Sequence, residues 1–400
     1  MNIIFIGDIL PRNIFEKVSF VAPSTNNLEL AIIKRLYNIY GDKLHILSKN
    51  FKLRALEYEK VTILSKKYII EEKIEINTIK FYNHKLLMNI TGMYYLYKSI
   101  KNIKKRLIHE NPNEEILFII FNPYYQQALP VYMAKNSKDI VLSIISEGLD
   151  IRYLREKKIT LYDNISHLIN KWLFKKNKKI VTYCANTVKR YAPNIKYLEL
   201  LHSCDISLFD GIEKKNLHDG KITIVYAGML VNCYGINVII NTMKRLPENY
   251  NLILCGGGSD QIIKFIKEAE IIDKRIRYLG LISREEVIKL EVSADILLLI
   301  RVADSPVNDY IAQYCQSSKI SEYLMSGTPV IATKIPSIPA IFDDYLNYTT
   351  SNSDEIAKEI ISVANNDNNF YSDKANRGKK FAKSNCTYEK QFSKLIDFIQ

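Results

Sequence analysis

The densest run of residues able to do chemistry is Gln316-Ser317-Ser318-Lys319-Ile320-Ser321-Glu322-Tyr323-Leu324-Met325-Ser326-Gly327-Thr328-Pro329-Val330-Ile331. Two serines and a lysine at the start of a predicted helix combine hydroxyl donors, a cation and the positive end of a helix dipole, which together suit a diphosphate. Glu322 follows Ser318 by four residues and Lys319 by three, so it shares their helix face one turn on. That spacing lets a carboxylate accept from ribose hydroxyls while the helix start holds phosphates. It also suits a capped helix whose Glu322 simply pairs with Lys319. Two glycine-bearing turns precede this run. Tyr226-Ala227-Gly228-Met229-Leu230 ends a predicted strand before Tyr234-Gly235 opens a helix, an arrangement that lets a phosphate approach backbone N–H groups. Leu252-Ile253-Leu254-Cys255 runs into Gly256-Gly257-Gly258, with Gln at position 261. This is not a G-x-G-x-x-G fingerprint, and no dinucleotide cofactor is indicated. A tight turn explains these three glycines as well as a ligand contact does.

Such residues need elements to hold them. Short β-branched runs alternate with amphipathic stretches along the chain, the pattern of parallel sheets covered by helices. The first half predicts strands at Ile3–Gly7, Lys43–Leu47, Ile116–Phe121, Ile140–Ile145, Ile180–Tyr183 and Tyr197–Leu201. A helix is expected over Leu28–Tyr40, capped by Asn26 with Glu29 completing a capping box. Phe51 to Tyr82 reads ambiguously. The polar stretch Asp205–Gly220, with Asp210-Gly211 and His218-Asp219-Gly220, reads as an inter-domain connection. Beyond it the expected strands are Ile222–Tyr226, Asn251–Cys255, Ile276–Leu279, Ile296–Ile300 and Pro329–Ile331, and Asn385 to Gln400 reads as an amphipathic helix. No internal repeat is detectable. The economical reading is α/β, two successive Rossmann-like domains, with ligands at the carboxyl ends of the strands.

Composition bounds the reading further. The 400 residues are 47% hydrophobic and 25% charged, with 14 Gly and 11 Pro, which excludes disordered and low-complexity classes. Apolar runs such as Ile116–Phe121 stop far short of the ~20 residues of a membrane-spanning helix. Met1 to Gly7 lacks a basic n-region and reads as a buried strand, so a cytoplasmic protein is expected. Six cysteines without a C-x-x-C pair argue against a disulfide framework or structural zinc. Residues 1–200 hold 33 Lys+Arg against 18 Asp+Glu, a balance of +15, whereas residues 201–400 balance at −2. Apart from simple solvation of lysines, that asymmetry favours an anionic partner: nucleic acid, anionic lipid or a phosphate-bearing substrate. Nucleic acid is disfavoured, since no helix-turn-helix, zinc-finger or RNP-type signature is present.

Taken together, the Gly228 strand end, Gly256–Gly258, Leu279-Gly280-Leu281, Ala294-Asp295-Ile296-Leu297-Leu298-Leu299 and Ser-Lys-x-x-Glu-Tyr-x-x-x-Gly-x-Pro-Val-Ile resemble the donor domain of family 4 (group 1) glycosyltransferases of bacterial surface polysaccharides. The motifs cover about residues 220–335. The resemblance implies a GT-B architecture, two Rossmann-like domains facing across a cleft. Residues 1–204 would bind the acceptor, 205–384 the nucleotide sugar, and a helix over 385–400 would pack back on the first domain. It further implies retaining transfer from a nucleotide-diphosphate sugar to a lipid-linked or oligosaccharide acceptor in capsule, exopolysaccharide or lipopolysaccharide synthesis, with no metal or other cofactor. The absence of an Asp-x-Asp agrees with that. By resemblance Glu322 binds the ribose, Ser317, Ser318 and Lys319 lie on the diphosphate, Gly228 and Gly257 line the phosphate-facing turns, and Leu281 borders the base.

Three departures stand out. The family's first motif glutamate falls at Tyr314, its usual arginine at Met229 and its usual lysine at Tyr234. Two cations expected on the leaving diphosphate are thus missing, a loss of transition-state stabilisation unless replaced. Arg301, just past the Ile296–Ile300 strand, is the candidate replacement, or else an ordinary salt-bridged arginine. In the first half, Ile144-Ile145-Ser146-Glu147-Gly148-Leu149-Asp150 puts carboxylates at a strand end, and Glu147 is the candidate to orient or deprotonate an acceptor hydroxyl, or else serves the turn. Gly7-Asp8 stands where the family carries a double glycine, leaving Gly7 a minor phosphate contact. Asn164 to Lys179 mixes Trp172, Leu173 and Phe174 with five lysines, the composition of an interfacial helix on an anionic inner membrane face, or of a buried helix with a solvated end. The departures also leave two other classes open: a non-catalytic homologue acting as partner or chaperone of an active transferase, and a sugar-nucleotide epimerase of similar fold.

Overall fold

Ile116-Leu117-Phe118-Ile119-Ile120-Phe121 has no polar residue and all six side chains are buried. Only a strand covered on both faces can use such a run, and that requires helices on both sides of a parallel sheet. The computed structural model, which describes residues 1–18, 24–84, 87–154, 159–215, 220–365 and 369–400, shows this arrangement twice. Met1–Leu200 with Lys394–Gln400 forms one compact unit, and Leu201–Ser393 the other.

The first unit holds β1 (Asn2–Gly7), β2 (Leu44–Ser48), β3 (Thr62–Ile63), β4 (Lys67–Ile70), β5 (Ile74–Thr78), β6 (Phe81–Tyr82), β7 (Ile116–Phe121), β8 (Ile140–Ile145), β9 (Lys179–Thr182) and β10 (Lys196–Glu199). Eight of them form a sheet in the order β10-β9-β8-β7-β1-β2-β5-β4, parallel except for β4. The stretch 51–82, ambiguous in sequence, is a 3-10 turn at Phe51–Ala55 followed by β3 to β6. Its strands are two to five residues long, and its hairpin turn uses Glu71 and Glu72 at φ 50° and 62° in place of glycine. Length and turn chemistry both hide it.

The expected capping box at Asn26 and Glu29 is not formed. The helix starts a turn earlier and spans Ser24–Tyr40, with both residues inside it. Their side chains reach outward to the β1 loop: Asn26 bonds both N–H and C=O of Leu10 (3.0 and 2.9 Å), and Glu29 accepts from Asp8 N–H (3.2 Å). A side chain at Gly7 would collide with the Glu29 carboxylate, so the glycine there has a packing reason. Residues 19–23, and 216–219 (with His218 and Asp219) of the predicted Asp205–Gly220 connection, lie outside the described residues.

The second unit places β11 (Ile222–Ala227), β12 (Tyr250–Cys255), β13 (Ile276–Tyr278), β14 (Ile296–Leu299), β15 (Val330–Thr333) and β16 (Asn347–Thr349) in one parallel sheet. The order is β13-β12-β11-β14-β15-β16. Sequence reading missed β16, a three-residue edge strand with one apolar side chain. The order reverses between β11 and β14, so a crevice opens outside their carboxyl ends. Gly228 follows one of those ends and Arg301 the other. All six cysteines are free thiols. Among the described residues no helix is long and apolar enough to cross a membrane.

Candidate functional site

The carboxyl edge of the second sheet is built from glycine turns stacked on one another. Gly228 N–H donates to Cys255 C=O (2.9 Å), Leu230 N–H to Gly257 C=O (2.8 Å) and Gly256 N–H to Gly280 C=O (2.8 Å). Gly256 has φ 135°, and a Cβ there would overlap the carbonyl oxygen of Gly228. Glycine is required because two backbones touch. Leu281 continues this shelf, 83% exposed, its methyl 3.4 Å from where a Gly257 Cβ would lie.

The helix Lys319–Ser326 is pinned beneath the first turn by Tyr323. That fully buried hydroxyl accepts from Ala227 N–H (3.0 Å) and donates to Ala227 C=O (3.2 Å), satisfying the last residue of β11. Lys319 consequently lies against Gly228, with its Cε 3.8 Å from that residue's virtual Cβ. Ser318 occupies the N-cap position without a side-chain capping bond and is exposed, and Ser317 beside it is half-buried. Their hydroxyls therefore remain at the helix mouth.

Glu322 is 4% exposed, and both of its oxygens are engaged, one by Lys319 Nζ and the other by Arg284 Nη2. Lys319 also donates to Glu291 Oε1 at 2.9 Å. The pairing alternative is thus the one realised, but in a four-member cluster whose two carboxyls are buried and not on an open helix. Burial pushes the Glu322 carboxyl up, but the Lys319 and Arg284 charges overcome it and hold it at about 2. Burial and the adjacent Glu322 charge push Glu291 well above the usual carboxylate range. With Glu291 neutral, the cluster carries a net charge of +1. Sequence reading missed Arg284 and Glu291, which sit 38 and 31 residues before Glu322 on a separate helix, Arg284–Ser293. No spacing rule links them.

Arg301 is 7% exposed, and its guanidinium carbon lies 3.7 Å from the ring centroid of Tyr234. Its backbone N–H donates to Thr333 Oγ1 (3.1 Å), while its Nε has no hydrogen-bond partner. Among the described residues no carboxylate pairs with it, so the salt-bridged alternative is not found. Tyr234, where the family resemblance expects a lysine, instead carries a cation on its face. Gly235, in the left-handed region at φ 74°, ends the 3-10 turn Asn232–Tyr234 that presents this ring. Gln316 is a second surprise, buried with both amide atoms unpartnered. The Tyr314 ring packs on Tyr310, centroids 4.6 Å apart and planes tilted by 37°.

In the first unit, Glu147 follows β8 and accepts from the Tyr124 hydroxyl at 2.8 Å. Asn122, at φ 48°, ties the ends of β7 and β8 by accepting from Ser146 N–H (3.0 Å). Asp150 accepts from the Tyr191 hydroxyl and lies 3.4 Å from His167 Nδ1. Glu147 and the second-unit residues belong to separate units.

Residues 210–384 match the family model of glycosyl transferases group 1. The second unit carries a glycosyltransferase group 1 domain. The chain is therefore a transferase. Over its whole length it has the GT-B fold, being similar to sucrose-phosphate synthase from Thermosynechococcus elongatus (TM-score 0.70, 13% identity, covering 100% of this chain and 99% of that one). Anabaena HepE, solved with UDP and glucose, matches at TM-score 0.66 and 13% identity over 100% and 99%. An α,α-trehalose-phosphate synthase from Burkholderia xenovorans matches at 0.66 and 9% over the full length of both chains. No curated protein matches the sequence.

Proposed function

We propose that this glycosyltransferase moves a sugar, with retention, from a nucleotide-diphosphate sugar to a lipid-linked or oligosaccharide acceptor in capsule, exopolysaccharide or lipopolysaccharide synthesis. In this reading residues 205–384 take the donor, residues 1–204 take the acceptor, and the helix at 385–400 completes the first domain. Peripheral attachment to the inner face of the cell membrane belongs to the same reading. The observation that carries it is the unpaired, buried Arg301 at the reversal of strand order, stacked on Tyr234. A buried guanidinium without a counter-charge costs several kcal/mol. An anion arriving in the crevice removes that cost.

As the glycosidic bond breaks, negative charge grows on the leaving diphosphate, and cations already in place stabilise it without reorganising. Arg301 supplies one of the two charges missing at Met229 and Tyr234, next to the Lys319 charge of the motif itself. Ser317, Ser318 and the N–H groups around Gly228 and Gly257 donate to phosphate oxygens, and Leu281 covers the base. Glu322 fixes Lys319 and reaches ribose hydroxyls by exchanging Arg284, whose side chain is 42% exposed. Glu147, polarised by Tyr124, orients the acceptor hydroxyl.

Thermal shift against UDP, GDP, CMP and TDP sugars identifies the donor, because a ligand of the folded state raises its Tm. Purified protein with that donor should then release nucleotide, and an Arg301→Gln protein should release it at least tenfold more slowly. Equal rates would remove Arg301 from the reaction. The engagement of Lys319 by the carboxyl groups of Glu291 and Glu322 favours the rival reading, a non-catalytic homologue. Donor binding without any turnover would decide for that one.

A further inference from the structure

We propose that the exposed apolar stripes of the helices Leu87–Glu110 and Leu161–Lys175, with the lysines that follow them, form a docking face for an anionic lipid bilayer. The inference deepens the membrane part of the proposed function and rests on it for its purpose. Along the second helix Leu161 (76% exposed), Ile165, Leu168 (65%) and Trp172 (52%) recur at helical spacing and stand in solvent. Along the first, Ile90 and Tyr94 do the same at 61% and 57%. The two helices meet at their N-terminal ends, where Asn89 Nδ2 donates to the Tyr162 hydroxyl at 2.8 Å. Single exposed apolar residues are ordinary, but stripes on two helices that meet at their ends mark an interaction surface.

Each stripe changes character along its helix. The first continues into exposed Lys98, Lys101 and Lys105, and the second into exposed Lys175 and Lys176, with Lys176 Nζ 3.8 Å above the Trp172 ring. Seven residues separate Leu168 from Lys175, a rise of about 10 Å. Apolar side chains seated in the acyl boundary would thus leave the lysines at headgroup height. Acids are nearly absent: Glu110 ends one helix, and Asp163 of the other is held in a capping box with Thr160. A second copy of the chain would bring these lysines against another unit of charge +15. An anionic bilayer accommodates both the apolar and the cationic part.

Both helices lead by their C-terminal ends into β7 and β9, so their apolar ends lie toward the carboxyl edge of the first sheet, the edge that carries Glu147. A sugar on a lipid carrier would be presented to that edge.

Trp172 is the sole tryptophan, so its emission reports on this face alone. The test is co-sedimentation of the full chain with vesicles of 30% phosphatidylglycerol in phosphatidylcholine, against phosphatidylcholine alone, while Trp172 emission is followed. Expected are binding to the anionic vesicles, a blue shift, quenching by brominated lipid, and release as salt rises. Ile165→Glu with Leu168→Glu, and separately Lys175→Glu with Lys176→Glu, should each weaken binding at least tenfold with Tm held. Lys264→Glu, on an exposed helix of the second unit, should not. Unquenched Trp172 on bound wild-type protein, or no binding, overturns the proposal. So does a blue shift that tracks protein concentration without lipid, which assigns the face to a second copy. None of these readouts needs sugar transfer, so this face and the transferase reading fail separately.

Discussion

Arg301 and Tyr234 illustrate how one cation can be moved without being lost. The resemblance expects a lysine on the loop, but here the loop supplies an aromatic platform and the neighbouring strand end supplies the charge. A guanidinium stacked on a ring keeps its in-plane N–H groups for a planar oxyanion. Arg301→Gln should therefore lower nucleoside-diphosphate affinity at least tenfold, one charge-assisted hydrogen bond being worth about 1.5–3 kcal/mol, and leave nucleoside affinity alone. Because the charge is buried and unpaired, Tm should hold or rise. A lowered Tm with unchanged diphosphate binding, measured by calorimetry, would make Arg301 structural. Glu322 behaves oppositely. Its replacement by Gln uncouples Lys319 and Arg284 inside the fold, and should cost about 3–5 kcal/mol in urea unfolding.

At the scale of elements, the helices Arg284–Ser293 and Lys319–Ser326 hold one carboxyl each in the cluster, with opposite pH consequences. Glu322, held at about 2, contributes stability that is complete above the unfolded carboxyl value near ~4.3 and is lost as pH falls toward 2. Glu291 is raised, so the folded chain binds its proton more tightly than the unfolded one, and stability declines as pH rises above ~4.3. Above pH 5 the Glu322 contribution is complete, so of the pair only Glu291 still makes stability depend on pH. Tm should fall from about pH 5 to 8 in the wild-type chain and stay flatter in Glu291→Gln. Parallel curves would place the proton elsewhere. Turns respond to shape instead: Gly256→Ala must push the Gly228 and Gly256 backbones apart, and an overpacking cost of about 1–3 kcal/mol is expected in denaturant unfolding.

Elements also differ in how readable they are. The all-apolar β7, and β8 and β12 with one polar residue each (Ser143, Asn251), coincide with their predicted spans to within a residue, since a strand buried on both faces needs a largely apolar sequence. The Lys319 helix, the glycine turns and Arg301 were visible for a similar reason, as residue types rarely needed by structure alone. Hidden from sequence were the strands of 62–82, whose turn lacks glycine, and the tertiary partners Arg284 and Glu291. Asn26 and Glu29 matched a local capping rule, but their side chains found longer-range partners in the β1 loop. Contacts outweigh propensity wherever both are available.

On the scale of the whole molecule, the two units should respond separately to nucleotide. A nucleoside diphosphate at 100 times its Kd adds about 2.7 kcal/mol to whatever it binds. Hydrogen exchange should show that added protection in residues 201–393 and little in 1–200. Protection spread evenly would mean the units unfold as one body. The division has a second consequence, for synthesis. Residues Lys394–Gln400 belong to the first unit, where Lys179 Nζ donates to the Phe398 carbonyl at 2.9 Å and Lys196 lies 5.6 Å from the Phe398 ring. Those residues leave the ribosome only after the entire second unit has been made. At about 5–20 residues per second that interval is roughly 10–40 s. For that time the nascent first unit waits with the end of β9 unsealed, long enough for a chaperone to meet it before its own chain does.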